Sequence, residues 1–177
     1  MTRTVLVAAA LALGAASDTP AQQMADIPSA TEQCNSDLDL EAHPEVETTP
    51  SSDFTPLEGG AVVRHEPTGL EWRRCPEGME WNGGDCSGTA STMNWQEALQ
   101  HADGEADWRL PDINELRSIV ERCRTGPAIN VEVFPGTASS HFWSASPYAA
   151  YSDRAWRVHF YYGHDYWRNK SGYYRVR

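Results

Sequence analysis

Asn94-Trp95-Gln96-Glu97-Ala98-Leu99 and Asp112-Ile113-Asn114-Glu115-Leu116 open two helices in the middle of the chain. In each segment a residue able to cap the first turn is followed three positions later by Glu. This is the capping-box pattern, in which two N–H groups without helical partners are satisfied reciprocally. Trp95, Ala98, Leu99 and Ala102 fall on one face of the first helix, and Gly104 stops it. Ile113, Leu116, Ile119 and Val120 form the apolar stripe of the second. Arg122 and Arg124 suit its C-terminal dipole, and Gly126-Pro127 ends it.

On either side of these helices the signals are those of strands. Gly59-Gly60 begins a turn, Ala61-Val62-Val63-Arg64-His65 is β-prone, Pro67-Thr68-Gly69 turns again, and Leu70-Glu71-Trp72 alternates, which together predict a hairpin. After Pro135, Phe142-Trp143-Ser144 and Ala155-Trp156-Arg157-Val158-His159-Phe160 alternate large apolar with polar residues. Gly163 marks a turn, and Tyr173-Tyr174-Arg175-Val176-Arg177 reads as a last strand. A strand pair, two helices and then further short strands is an α+β order and not βαβ alternation. The expected core comprises Trp72, Trp95, Trp108, Trp143, Trp156, Leu116 and Ile119.

The 177 residues divide into a short apolar leader, a polar arm and one domain. Arg3 and the run Val5 to Ala16 have the form of a signal peptide over residues 1–17, too short to span a bilayer. Residues 18–53 are acidic and rich in Pro, Thr and Ser, without helical or strand period, and read as an extended arm or linker. The domain proper occupies residues 54–177. Four cysteines in an exported chain suggest two disulfides, and the spacing lacks the pairs of a zinc site. Cys75 and Cys86 bracket a turn-rich loop and are expected to pair, which leaves Cys34 with Cys123.

The net charge of −11 argues against nucleic acid as a partner. The charge is unevenly placed: from His141 onward six Lys or Arg face two acids, and all seven tyrosines lie in this part of the chain.

Several motifs occur in a set order: Thr68-Gly69-Leu70-Glu71-Trp72, Arg74-Cys75, the loop to Cys86, Trp95 with Ala98-Leu99, Asp107-Trp108-Arg109-Leu110-Pro111, Asn114-Glu115-Leu116, Pro127-Ala128-Ile129-Asn130, Phe134-Pro135, Phe142-Trp143-Ser144 and Ala155-Trp156. In this order they resemble the bacterial DUF1566 family, also called the Lcl C-terminal domain family, over roughly residues 54–177. The resemblance implies an exported, C-type-lectin-like α+β domain of the kind found in bacterial surface proteins, one of which binds sulfated glycosaminoglycans. Family members end in a Val-Arg-Leu-Val-Arg-like strand; here the end is Arg175-Val176-Arg177, so a short final strand is expected.

Within Trp108-Arg109-Leu110-Pro111, Trp108 is expected in the core and Arg109 as a buried donor to backbone carbonyls. Capping explains Asp112 and Glu115 without calcium, and Glu66-Pro67-Thr68 is only a partial echo of the sugar-binding motif of calcium-dependent lectins. No metal or cofactor is expected. The six histidines are scattered and accompany no hydrolase motif. A formylglycine-generating type of enzyme shares the lectin-like fold but needs a reactive cysteine pair in the C-terminal part, and no cysteine follows Cys123. The chain is therefore expected not to be an enzyme.

The candidate binding segment runs from Tyr161 to Tyr173, with Tyr161, Tyr162, His164, Tyr166, Trp167, Arg168 and Tyr173 as contact residues. Tyr, Trp, Arg, Ser, Gly and Asn are the residues that build paratopes. Strand alternation sends Trp156, Val158 and Phe160 inward, so the polar and aromatic groups beyond Gly163 are expected together on one exposed face; His159 and His164 flank the turn. The expected ligand is an extracellular anionic glycan or a protein, with no membrane span and with homo-oligomers possible. Other readings are a structural domain of a cell-surface assembly and a variable binding protein diversified by a retroelement. Adenine-randomised Asn codons would yield the residue types found between Tyr161 and Tyr173.

Overall fold

The computed structural model describes residues 47–177, Ala106 excepted. The signal-peptide reading and the Cys34–Cys123 pairing involve positions outside the described residues. No described helix is long and apolar enough to cross a membrane.

The chain is a mixed α+β structure made mostly of strands. Strands β1 (Phe54–Leu57), β2 (Val62–His65) and β3 (Leu70–Arg73) form an antiparallel meander. β4 (Met79–Trp81) and β5 (Cys86–Gly88) form a small hairpin, stapled by the Cys75–Cys86 disulfide as expected from the turn-rich loop. The main sheet is built from β6 (Thr92–Met93), β7 (His141–Pro147), β8 (Arg154–His159), β9 (His164–Asn169) and β10 (Tyr174–Arg175). Its order is β6-β10-β7-β8-β9, antiparallel except for β10 beside β7. The final strand is indeed short.

Helices α1 (Trp95–Gly104) and α2 (Ile113–Arg117) pack against the main sheet. Both predicted capping boxes are present: Asn94 with Glu97, and Asp112 with Glu115. α1 buries Ala98 and Ala102 against Trp143, Ala155 and Val176. A second, larger core holds Leu116, Ile119, Val120, Phe134, Phe142, Val158 and Phe160 with Phe54, Val63 and Trp72. Alternation along β8 divides the two cores: Ala155 belongs to the first and Val158 to the second.

α2 is shorter than predicted. It stops after five residues, and Ile119 and Val120 reach the core from the turns beyond it. Ser118 ends the helix by donating its hydroxyl to the Glu115 carbonyl at 2.7 Å, a local bond that competes with helical pairing. Glu121 then draws the chain elsewhere. Its buried carboxylate accepts from Thr48 N, Thr49 N, both threonine hydroxyls and Cys123 N, at 2.8–3.0 Å. Burial works to raise the Glu121 pKa, but the N–H groups of Thr48, Cys123 and Thr49 together hold it below the ordinary carboxylate value. The last residues of the arm are thus tied to the body through Glu121, an anchor that periodicity does not reveal.

Three of the expected core tryptophans, Trp95, Trp108 and Trp156, are only half-buried. Each has a polar or aromatic neighbour at its open edge. Trp95 Nε1 donates to the Ser144 carbonyl at 2.8 Å. Trp108 lies 4.8 Å beneath the Arg73 guanidinium, and Trp156 meets Tyr148 edge-on at 5.2 Å. Arg109 is not a buried donor to carbonyls. It is exposed and forms a two-pronged ion pair with Glu115, at 2.6 and 2.5 Å, because the capping-box carboxylate stands ready beside it.

Candidate functional site

β8 and β9 are joined by Phe160-Tyr161-Tyr162-Gly163, and the turn is pressed against the body. Gly163 has φ +73°, and a Cβ there would come within 2.6 Å of Val120 Cγ1. Only glycine combines that backbone with that contact. The turn therefore holds the hairpin at a set height over the second core.

Cross-strand register fixes which side chains share a face. Val158 pairs with Asp165 and Trp156 with Trp167, on the side of the larger core. Arg157 pairs with Trp143 and Tyr166, His159 with His141 and His164, and Ala155 with Arg168, on the side that α1 covers in part. Beyond α1 this side is an aromatic and cationic strip. The His141 and His159 rings stack at 3.9 Å. Tyr174 meets His141 edge-on at 5.4 Å, and Tyr161 and Tyr162 meet each other at 4.4 Å beside His159. His164 and Tyr166 continue the strip along β9.

Arg157 lies beneath it. It is 2% exposed, its guanidinium is 4.4 Å from the Tyr174 ring centroid, and its Nε and Nη1 are buried without a hydrogen-bond partner. Burial lowers its pKa to about 10, which leaves it charged at neutral pH. The same burial, reinforced by Arg157, His159 and Arg168, pushes His141 down to about 3, so His141 is neutral. His159 is lowered too, first by burial and then by Arg157 and His164. Among the described strand residues on this side of the sheet there is no carboxylate. The one carboxylate on the strands of the main sheet, Asp165, points to the other side, where its Oδ1 is 3.8 Å from Arg117 Nε. The strip is thus a cationic surface, and among the described residues no carboxylate forms an ion pair with its central Arg157.

Residues 61–177 match the Lcl C-terminal domain family. The chain belongs to that family. The match takes in both helices, the disulfide hairpin and every strand of the main sheet, so the Lcl C-terminal domain here comprises the scaffold and the strip together. No curated protein and no solved structure matches the chain.

The seven residues expected at the site are not all brought together. His164, Tyr166 and Arg168 share the face with Arg157, and Tyr161 and Tyr162 border it at the turn. Trp167 does not belong with them. Strand alternation places it on the opposite side, stacked on Tyr148 at 5.3 Å and under the Arg154 guanidinium at 4.2 Å. Tyr173 is 59% exposed in the connection before β10. Arg157, His141 and Tyr174 were missed, and the signal for Arg157 was available. The alternation that turns Val158 and Phe160 inward must send Arg157 to the other face. No group of three or more His, Cys, Asp or Glu among the described residues is placed to hold a metal ion.

Proposed function

We propose that this Lcl C-terminal domain is an exported binding module, not a catalyst, and that the strip over Arg157 receives an acidic ligand, best matched by a sulfated or carboxylated glycan. The observation that carries this reading is the buried Arg157, whose Nε and Nη1 have no hydrogen-bond partner among the described residues. Leaving a charge buried and unpaired costs several kcal/mol. An anion docked on the strip would supply the missing counter-charge, and the exposed rings of Tyr161, Tyr162 and Tyr166 offer rigid amphipathic area around it. Export is supported by the apolar leader and by the disulfide, which persists in oxidising compartments. A C-type-lectin-like assignment of the α+β body belongs to the same proposal and rests on the family resemblance.

The test is a titration with size-defined heparin fragments at two salt concentrations, on the native chain and on Tyr166→Ala/Arg168→Ala. Binding should weaken with salt, since the screening length falls to about 10 Å at 0.1 M, and should weaken again in the double variant. Salt-insensitive binding, or affinity unchanged in the folded variant, would remove the strip from the site.

A further inference from the structure

The sheet register lays three histidines in one row across neighbouring strands. His159 on β8 stands opposite His141 on β7 and opposite His164 on β9. Two residues from Arg157, His159 shares its face of the sheet. The next row is Trp143, Arg157 and Tyr166. His141 stacks on His159 at 3.9 Å, and Tyr161 and Tyr162 of the turn lie 6.2 and 5.8 Å from it. His164 is exposed and His159 half-buried, so the row is open to a ligand on the strip.

The arginine charges of the strip are fixed at neutral pH, whereas an imidazole ordinarily titrates at about 6.5. Arg157 on its own strand and His164 on β9 act on His159; Arg157, His159 and Arg168 act on His141. Tyr174 of β10, Tyr166 of β9 and the turn tyrosines complete the surroundings, and α1 turns Ala98 and Ala102 to this side. Burial first, and then Arg157 and His164, hold the His159 pKa below its ordinary value. A sulfate or carboxylate on the strip opposes the repulsion, since an opposite charge within about 4–6 Å favours the charged form. A proton on His159 then also finds ring faces. Neutral His141 stacks on it, and the Tyr162 ring lies within the roughly 6 Å reach of a cation–π contact.

We infer that His159 couples ligand binding to proton uptake: an anion on the strip is bound together with a proton on this imidazole, and the domain binds more tightly in mild acid than at neutral pH. The coupling rests on the strip being an anion site and supplies its regulation. By reciprocity, the ligand raises the affinity for the proton by the factor by which the proton raises the affinity for the ligand. The gain appears as pH falls through the His159 midpoint of the complex and is complete below the midpoint of the free protein.

Two measurements on the full chain test the coupling. Histidine ring-proton NMR follows the His159 midpoint without and with a saturating heparin fragment, whose acidic groups stay ionised throughout. Calorimetry gives heparin affinity at about pH 7.5 and about pH 5.5, on either side of the ordinary imidazole value. The midpoint should move up by about one pH unit. Affinity should rise about tenfold between the two pH values, one unit being a factor of ten. His159→Gln should remove most of that rise, and the NMR midpoint, read on the native chain, does not depend on the variant folding. A midpoint that stays put, equal affinities at both pH values, or a rise undiminished in folded His159→Gln would each overturn the coupling while leaving salt-dependent heparin binding by the strip intact. Absence of heparin binding at both pH values would overturn the strip and the coupling together.

Discussion

Strand β8 has two sides, and they are built on opposite principles. Towards the larger core, Val158 and the following Phe160 are fully buried among Phe142, Ile119 and Val120, and Asp165, opposite Val158 across the strands, faces Arg117. On the other side, Arg157 is just as buried but lies among histidine and tyrosine rings with two N–H groups unpaired. The first side lowers the free energy of the fold; on the second, the unpaired burial of Arg157 raises it. A charge kept at a cost to stability is what a binding surface requires, because the ligand then completes an arrangement that the fold leaves unfinished.

Phe142→Ala should lower unfolding free energy by about 3–5 kcal/mol, the usual cost of emptying a buried aromatic site, measured by urea denaturation. A much smaller loss would mean that the core side is not the source of stability. Cys75→Ser/Cys86→Ser, which opens a crosslink spanning 11 residues, should cost about 2–4 kcal/mol in the same assay. Glu121→Gln, which replaces an accepting oxygen with a donor facing the Thr48 and Thr49 groups, should cost about 1–3 kcal/mol.

Acid should act in two stages. His141, held at about 3 by burial and nearby cations, stays neutral in the fold, so stability is complete above its ordinary value of 6.5 and falls as pH drops toward 3. The lowered carboxyl of Glu121 contributes above its ordinary value of 4.5 and loses that contribution as pH falls further. His141→Phe should flatten the slope of stability between pH 6.5 and 5, and Glu121→Gln the slope below 4.5. The smallest effect is expected at Arg109→Ala, below about 1 kcal/mol, because its ion pair is exposed.

Much of the scaffold was legible before any coordinates. Both capping boxes, the β2–β3 hairpin, the Cys75–Cys86 staple and the Gly163 turn are local signals, and each recurs in the structure. The path of the chain after α2 was not legible, because beyond Ser118 it is set by Glu121 reaching back to Thr48 and Thr49 across more than seventy residues. The site was legible as a segment but not as a surface. The groups that follow one another beyond Gly163 are expected on one face, whereas a strand must alternate, so Trp167 leaves the group. Arg157, His141 and Tyr174 joined it from other parts of the chain, and only the sheet register shows that they do.

The contrast rests on Arg157, and Arg157→Met tests it most directly, because Met keeps the volume and deletes the charge. Stability by urea denaturation and heparin-fragment affinity by calorimetry are read on the same preparation. The variant should be at least as stable as the native chain, with a gain of about 1 kcal/mol, since a buried charge replaced by an apolar side chain is commonly neutral or stabilising. Its affinity should fall tenfold or more. A variant that loses stability yet binds as tightly as before would contradict this contrast: Arg157 would then be a packing residue, and the strip would not owe its ligand to the buried charge.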